Sequence, residues 1–291
     1  MLFRSLLFVP GNQLNMLEKA VGLKPDAFVP DMEDSVPYSE KAAARQMVSD
    51  FIPKFSKTGI PIIPRVNSLE TGFMEDDMRA IVGPHIHGIS IGKIGTSNDI
   101  NTISQILGDM ETDSGLDHGS IKILPWIETA MGIVNVYSIL NSSRIMGACF
   151  GAEDFTNDMG IERKQDDIEI MYPRTQVAIA ARAADVPALD TPFFKFRDAE
   201  GLKRDSLLSK RLGFKGKFAI HPSQIEHINA SFSPSNEQLE EAKRIIEVYE
   251  IAELSGRAST SLDGMVIDVP VVQRARTLLE SVNQSKSQEV K

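Results

Sequence analysis

Short apolar runs rich in valine, isoleucine, leucine and phenylalanine recur along the chain, with longer polar stretches between them. In two of those stretches, 39–52 and 170–185, apolar residues recur at three- and four-residue steps, which predicts helices. The runs themselves do not alternate with polar residues, and this is typical of strands buried on both faces of a parallel sheet. The eight predicted strands lie at residues 5–11, 27–34, 61–67, 88–94, 121–129, 146–154, 186–193 and 217–224.

Eight strand–helix units within about 230 residues predict an α/β fold of the (β/α)8 TIM barrel type. A doubly wound open sheet is the alternative, but no Gly-x-Gly-x-x-Gly motif follows the first predicted strand, as a dinucleotide-binding sheet would require. Residues 1–230 are predicted to form the barrel, which is the catalytic domain. Residues 231–291 are predicted to form a C-terminal helical extension, because Ser235 and Gln238 make a capping box ahead of an apolar stripe with helical spacing.

The composition limits the kinds of molecule that the protein is expected to bind and the compartment where it is expected to occur. Among 291 residues, 31 Lys and Arg face 40 Asp and Glu, and the net charge of -9 argues against nucleic acid or an anionic membrane as the main partner. The single cysteine, Cys149, excludes an internal disulfide framework and favours a reducing compartment. The N-terminal apolar run is too short for a signal peptide, and no window approaches the roughly 18 apolar residues of a membrane span. A soluble cytoplasmic protein is therefore expected.

Ionisable side chains follow the apolar body of six of the eight predicted strands. In a parallel barrel the carboxyl ends of all strands converge on one mouth, where barrel enzymes hold their active sites. The clustering therefore predicts a polar site at that mouth. The polar residues at these strand ends, all ionisable except Asn67, are in strand order Asp31, Glu33, Asp34, Arg65, Asn67, Lys93, Glu128, Glu153, Asp154 and His221.

Glu128 and one of the adjacent acids Glu153 and Asp154 end successive predicted strands, so about one strand spacing separates them. A site made of oxygen ligands, with no cysteine and no nearby histidine pair, suits a hard cation. Mg²⁺ takes one or two carboxylates, and water or substrate fills its remaining positions. Glu153 is interpreted as a supporting residue, because consecutive strand residues point to opposite faces. Arg65 offers a fixed positive donor for a carboxylate or enolate; the alternative is that it pairs with Glu128.

Lys93 has two interpretations that its position does not separate. It contacts a phosphate or carboxylate of the bound molecule, or it is a solvated lysine at a strand end.

Seven motifs, in the same order from residue 4 to about 279, resemble those of one known family. They are "RSLLFVPGN", "DMEDSVPYSEK", "PRVNS", "IETAMGI", "FGAEDFTNDMG", "GFKGKFAIHPSQI" and "DGMVIDVP". The chain resembles the citrate lyase β-subunit-like branch of the HpcH/HpaI aldolase superfamily, which includes citramalyl-CoA and malyl-CoA lyases.

The resemblance implies a Mg²⁺-dependent carbon–carbon lyase that cleaves a 3-hydroxyacyl-CoA thioester into acetyl-CoA and a 2-oxo acid such as pyruvate or glyoxylate. It also implies a homotrimer or a dimer of trimers, with Mn²⁺ as a substitute metal. It places the metal ligands at Glu128 and Asp154 and the enolate-binding arginine at Arg65. Asp31 and Asp34 match acids that orient the site and hold metal-bound water.

The resemblance also gives the C-terminal segment a role as a lid. Asp268 matches an acid that reaches the mouth of a neighbouring subunit and takes part in proton transfer. One departure lies close by, since relatives often carry histidine where this chain has Val271.

Several alternative activities remain open from the sequence. A barrel of this kind can hydrolyse malyl-CoA or citramalyl-CoA to the free acid and CoA, or it can act on a citryl thioester carried by an acyl carrier protein. Cleavage of free 2-keto-4-hydroxy acids is less compatible with the C-terminal extension. A non-enzymatic binding role leaves the charged residues Glu128, Asp154 and Arg65 without a purpose.

Overall fold

The protein is described here by a computed structural model that covers residues 3–164 and 166–289. The described residues form two compact units that divide after Phe232. In the first unit, eight parallel strands pair in sequence order, and the last pairs with the first to close the barrel. They are β1 (Ser5–Pro10), β2 (Ala27–Asp31), β3 (Arg65–Val66), β4 (Gly88–Ile91), β5 (Lys122–Ile127), β6 (Ala148–Phe150), β7 (Ala188–Asp190) and β8 (Gly216–Ala219).

Helices follow the strands and surround the barrel, so the predicted (β/α)8 fold is confirmed. The helices of this unit are α1 (Leu14–Ala20), α2 (Lys41–Ser56), α3 (Met74–Ile81), α4 (Ser97–Asp113), α5 (Ala130–Ile139), α6 (Ala152–Asp158), α7 (Ile168–Ala183), α8 (Ala199–Leu212) and α9 (Gln224–Phe232).

The strands are apolar on both faces because each face meets a different core. Side chains such as Leu6, Val29 and Cys149 pack inside the barrel, whereas their strand neighbours Leu7 and Phe28 pack between the barrel and the helices. This double burial explains the unbroken apolar runs of the sequence.

An aromatic layer closes the barrel interior. The ring of Phe8 stacks on Trp126 and on Phe218, with centroid separations of 5.7 and 5.0 Å. The indole N–H of Trp126 is buried and donates to Ser90 Oγ at 2.8 Å. The guanidinium of Arg65 lies 4.6 Å from the centroid of Phe8, so this layer packs directly against a residue of the predicted site.

The sixth apolar run ends earlier than predicted. Strand β6 stops at Phe150, and Gly151 is the N-cap of α6, which begins at Ala152. Glu153 and Asp154 therefore lie in the first turn of a helix, where the helix dipole favours acidic side chains. The interpretation of these two acids as consecutive strand residues was wrong.

The second unit begins at Ser233 and has its own core. It consists of helix α10 (Asn236–Leu254), a hairpin of β9 (Thr260–Leu262) and β10 (Met265–Ile267), and helix α11 (Val269–Glu289). The predicted capping box is present, since Ser235 and Gln238 exchange side-chain-to-backbone hydrogen bonds. The sequence analysis missed the hairpin, although Asp263 and Gly264 are a two-residue turn pair with positive φ, a typical hairpin signal.

No helix in the described part of the chain is long and apolar enough to cross a membrane.

A buried charge network joins β7 and β8 to the helices outside them. Arg174 of α7 binds both carboxylate oxygens of Asp190, at 3.0 and 2.6 Å, and also binds Asp205 of α8 at 2.8 Å. Lys217 of β8 lies 2.6 Å from Asp205 and also contacts Asp190. Two acids and two bases thus balance one another in the interior. Burial raises the pKa of both acids, but the neighbouring cations outweigh it and hold each pKa below its usual value.

Replacing Asp190 by alanine is expected to destabilise the protein by about 3–5 kcal/mol, because it leaves two buried cations without one of their partners. The exposed pair of Glu240 and Lys243 provides the control, and Glu240→Ala is expected to cost less than about 1 kcal/mol. Denaturant unfolding of both variants tests this. Equal, small effects would show that the network contributes nothing to stability.

The same network predicts a loss of stability in acid. An aspartate in the unfolded chain has a pKa of about 3.9, and Asp190 and Asp205 have lower values when folded. Their contribution is therefore complete above about pH 4 and disappears as the pH falls through the folded-state pKa values. As the pH is lowered from about 6 to 3, the unfolding temperature of the wild type should fall more steeply than that of Asp190→Asn. Parallel declines would contradict this.

Candidate active site

The carboxyl ends of β2 to β6 bring a group of charged side chains together at the barrel mouth. Asp31 and Arg65 lie on adjacent strands and are register partners. The remaining members come from the segments that directly follow the strands, so strand pairing sets their spacing. They are Glu33 and Asp34 after β2, Lys93 after β4, Glu128 after β5 and Asp154 in α6.

Arg65 is fixed by a bidentate ion pair. Its Nε and one terminal nitrogen donate to the two oxygens of Asp31, both at 2.7 Å, and its other terminal nitrogen donates to Asp34 at 2.9 Å. The backbone N–H groups of Glu33 and Ser35 also donate to Asp31. Burial raises the pKa of Asp31, but the charge of Arg65 outweighs it and keeps this pKa below its usual value. The partners of Arg65 are thus acids at the end of β2 and just after it, and the alternative pairing with Glu128 was wrong.

Glu33 connects the arginine to the lysine. It is buried, with one oxygen 3.3 Å from Arg65 and the other accepting from Lys93 Nζ at 3.1 Å. Burial and the neighbouring acids raise the pKa of Glu33 despite both cations. The sequence analysis placed Glu33 at the mouth but gave it no role. The available signal in the sequence was its place in the acidic motif "DMED". Its partners could be identified only from the fold.

Lys93 contributes through its backbone as well as its side chain. Its φ of 58° lies in the left-handed region, and its N–H donates to Glu128 Oε1 at 2.8 Å. Its ammonium group is partly exposed and lies against Glu33, so it is paired within the mouth rather than free in solvent. Contact with a phosphate or carboxylate of a bound molecule stays a prediction.

Glu128 occupies a space that two glycines leave open. A Cβ at Gly151 would lie 2.2 Å from Oε2 of Glu128, and a Cβ at Gly92 would lie 2.7 Å from Oε1. The side chain is only 4% exposed. Burial, and then the negative charges of Asp154 and Glu33, raise the pKa of Glu128 to about 8. The backbone N–H and the charge of Lys93 act in the opposite direction on this pKa but do not outweigh the burial and the two acids.

Asp154 approaches the same region from the first turn of α6. It is partly buried, and burial together with the charge of Asp34 raises its pKa, even though Lys93 and Arg65 act in the opposite direction. Its neighbour Glu153 is exposed and binds Arg163 at 2.9 Å. The two adjacent acids therefore have different surroundings, and Asp154 is the one that interacts electrostatically with Glu128.

The mouth has more acidic than basic side chains. Five acids surround three bases, Arg65, Lys93 and Lys41, which leaves two negative charges when all are ionised. The acids are Asp31, Glu33, Asp34, Glu128 and Asp154. A divalent cation fits this excess, and carboxylate oxygens are the donors that Mg²⁺ prefers.

Among the described residues, no three histidine, cysteine, aspartate or glutamate side chains are arranged as a ready metal cage. Mg²⁺ does not require one, because it commonly retains several waters and uses one or two carboxylates. Glu128 and Asp154 therefore fit a magnesium ion as its two protein ligands. Their assignment as ligands stays a prediction.

Asp268 lies in the second unit, between β10 and α11. Its Oδ1 accepts the backbone N–H of Val271 at 3.2 Å and so caps the start of α11. Its predicted part in proton transfer stays a prediction.

Comparisons with known proteins agree on one family. The family model described as HpcH/HpaI aldolase/citrate lyase matches residues 4–222. The chain is 34% identical over 281 residues to the citrate lyase subunit beta of Leuconostoc mesenteroides, with 96% of this chain and 93% of that protein covered. It is 30% identical over 277 residues to a (3S)-malyl-CoA thioesterase of Cereibacter sphaeroides, with 95% and 93% covered.

A solved structure supports the same fold. The protein CitE from Mycobacterium tuberculosis, in complex with magnesium, acetoacetate and coenzyme A, superposes with a TM-score of 0.80 at 24% identity. The match covers 96% of this chain and 97% of that one.

Replacing Gly151 by alanine tests the position of Glu128. The backbone φ of -107° suits any residue, but the new methyl group would displace the carboxylate that lies 2.2 Å away. The dissociation constant for Mg²⁺, measured by titration calorimetry, is expected to rise at least about tenfold. Gly83→Ala is the control, because its Cβ meets its nearest neighbour at 4.0 Å. Equal Mg²⁺ affinity in both variants would contradict the described geometry.

Proposed function

The chain belongs to the HpcH/HpaI aldolase/citrate lyase family, and on that premise we propose that it is a Mg²⁺-dependent carbon–carbon lyase. Its substrate is a 3-hydroxyacyl-CoA thioester of the citramalyl-CoA or malyl-CoA type, and its products are acetyl-CoA and a 2-oxo acid. The observation that carries the proposal is the placement of Glu128 and Asp154 directly after the neighbouring strands β5 and β6, at the mouth that also holds Arg65, which Asp31 fixes.

In the proposed site, Glu128 and Asp154 hold the magnesium ion. When bound, Mg²⁺ supplies a Lewis acid and a template for the hydroxyl and carboxylate oxygens of the substrate. The backbone N–H of Lys93 keeps Glu128 in place, and Gly92 and Gly151 leave the room that it needs.

Arg65 is proposed to stabilise the enolate oxygen that forms on the thioester. A guanidinium has five N–H bonds, and three of those of Arg65 are used by Asp31 and Asp34. The remaining N–H bonds are available to Glu33 or to a substrate oxygen. Because Asp31 fixes the group before the reaction, no reorganisation is needed when negative charge develops, and this is the arrangement that lowers a barrier most.

The proposed reaction transfers one proton away from the substrate and one back. A base takes the proton of the C3 hydroxyl, the C2–C3 bond breaks, and its electron pair forms the enolate of acetyl-CoA as the oxo acid departs. An acid then protonates C2. We assign these transfers to Asp268 of a neighbouring copy and to Asp34 acting through water, since Asp34 is half exposed and hydrogen-bonded to Arg65.

Thioester hydrolysis is the second candidate, because a relative with 30% identity is named (3S)-malyl-CoA thioesterase. A citryl thioester is a further possible substrate, because two relatives with 34% and 35% identity are named citrate lyase subunit beta. In this proposal all three reactions use a metal beside a thioester, so the site does not separate them. Their products do.

Product analysis with Mg²⁺ tests the proposed reaction. The purified protein is incubated with malyl-, methylmalyl-, citramalyl- and citryl-CoA, and the 2-oxo acid and free CoA thiol are measured separately. The lyase is expected to release 2-oxo acid and acetyl-CoA in equal amounts without free thiol. Release of thiol and hydroxy acid alone would overturn the lyase assignment in favour of the hydrolase.

The same assay tests the metal ligands. Glu128→Ala and Asp154→Ala are each expected to lower kcat/KM about a thousandfold or more, because the metal contributes several kcal/mol to the transition state. Glu153→Ala is the matched control and should retain activity within about threefold. Circular dichroism checks that each variant is folded. Near-normal Mg²⁺-dependent activity in either ligand variant would disprove the assignment.

A subunit-mixing experiment tests the role of Asp268. If each site uses the barrel of one copy and Asp268 of another, inactive Glu128→Ala and Asp268→Ala chains that are refolded together in equal amounts should regain about a quarter of wild-type activity. No recovery in a mixture shown to contain both chains would mean that Asp268 does not act across subunits.

A further inference from the structure

The end of helix α6 is tied to the start of helix α5 by one hydrogen bond. The carboxylate of Asp158, the last residue of α6, accepts the backbone N–H of Ala130 at 2.7 Å. Ala130 is the first residue of α5, where a backbone N–H has no partner within the helix. The bond therefore satisfies a group that the helix itself leaves free, and the dipole of α5 strengthens it.

Both ends of this bond are close in sequence to a proposed metal ligand. Ala130 comes two residues after Glu128, and Asp158 comes four residues after Asp154, one helical turn away on the same face of α6. At the other end of α6, the N–H of Ala152 donates to Thr191 Oγ1 at 3.2 Å. Helix α6 is thus fixed at its start and at its end, with Asp154 between the two attachments.

We propose that Asp158 is a positioning residue that sets the separation between Glu128 and Asp154 and thereby the affinity for the metal. It acts through Ala130, so it needs no contact with the metal itself. The inference rests on the proposed metal site. It adds a residue that the sequence analysis did not single out.

If this bond only stabilised the fold, its loss would lower the free energy of unfolding and leave the affinity for Mg²⁺ unchanged. Because Asp158 is exposed, we expect the loss of its hydrogen bond to change the free energy of unfolding by little. A change of the angle between α5 and α6, by contrast, moves one ligand relative to the other, and misplaced outer partners of a metal site commonly lower affinity 10- to 100-fold, as an order-of-magnitude guide.

The test compares Asp158→Ala with Asp158→Asn. Asparagine keeps an oxygen that can accept the N–H of Ala130 but removes the charge. Glu162→Ala, an exposed acid just beyond α6, controls for the loss of one negative charge. The readouts are the dissociation constant for Mg²⁺ by calorimetry and the unfolding temperature without metal.

Asp158→Ala is expected to weaken Mg²⁺ binding at least about tenfold, with Asp158→Asn and Glu162→Ala within about threefold of the wild type. The unfolding temperature without metal should stay nearly constant in all three. Unchanged Mg²⁺ affinity in Asp158→Ala, or an equal loss in Asp158→Asn, would overturn the positioning role. If the wild type itself binds no Mg²⁺, the proposed function fails, and that outcome is distinct from failure of the role of Asp158.

Discussion

The mouth of this barrel is organised by the repulsion among carboxylates that its own side chains do not fully neutralise. Glu128 is enclosed by Gly92 and Gly151 and faces the charges of Asp154 and Glu33. Such an arrangement is costly in an empty protein, because burying a charge without a partner opposes folding. In the proposed site, a divalent cation at this point would offset the repulsion by binding the carboxylates. The hydrogen bonds of Arg65 go to Asp31 and Asp34 rather than to Glu128.

Two groups of charged side chains in this barrel have opposite effects on the pKa values of their acids. The network of Arg174, Lys217, Asp190 and Asp205 is buried behind β7 and β8, and its acids and bases are equal in number. Every acid in it has a lowered pKa. At the mouth, Glu128 and Asp154 have raised pKa values instead. The first pattern joins α7 and α8 to β7 and β8, and the second is typical of candidate functional sites.

The sequence was sufficient for the fold and for the charged side chains that meet at the barrel mouth, but not for their contacts. Apolar runs marked all eight strands because each strand is buried on both faces, and strand ends marked the mouth. The start of α6 at Ala152 was missed because it depends on where β6 stops pairing with its neighbours. The roles of Glu33 and Asp158 were missed for a related reason. Glu33 contacts Arg65 and Lys93, and Asp158 binds the backbone of Ala130. Each of these contacts joins segments that are distant in the chain, so the sequence around either acid does not reveal it.

The most direct test of the account is the position of the metal. Crystals grown with Mn²⁺, in place of Mg²⁺, allow the ion to be located by its anomalous scattering. The proposed site predicts one strong peak at the barrel mouth, within coordination distance of one oxygen of Glu128 and one oxygen of Asp154. The absence of a peak between these two carboxylates in crystals that contain the metal, or a peak bound by other residues, would contradict it.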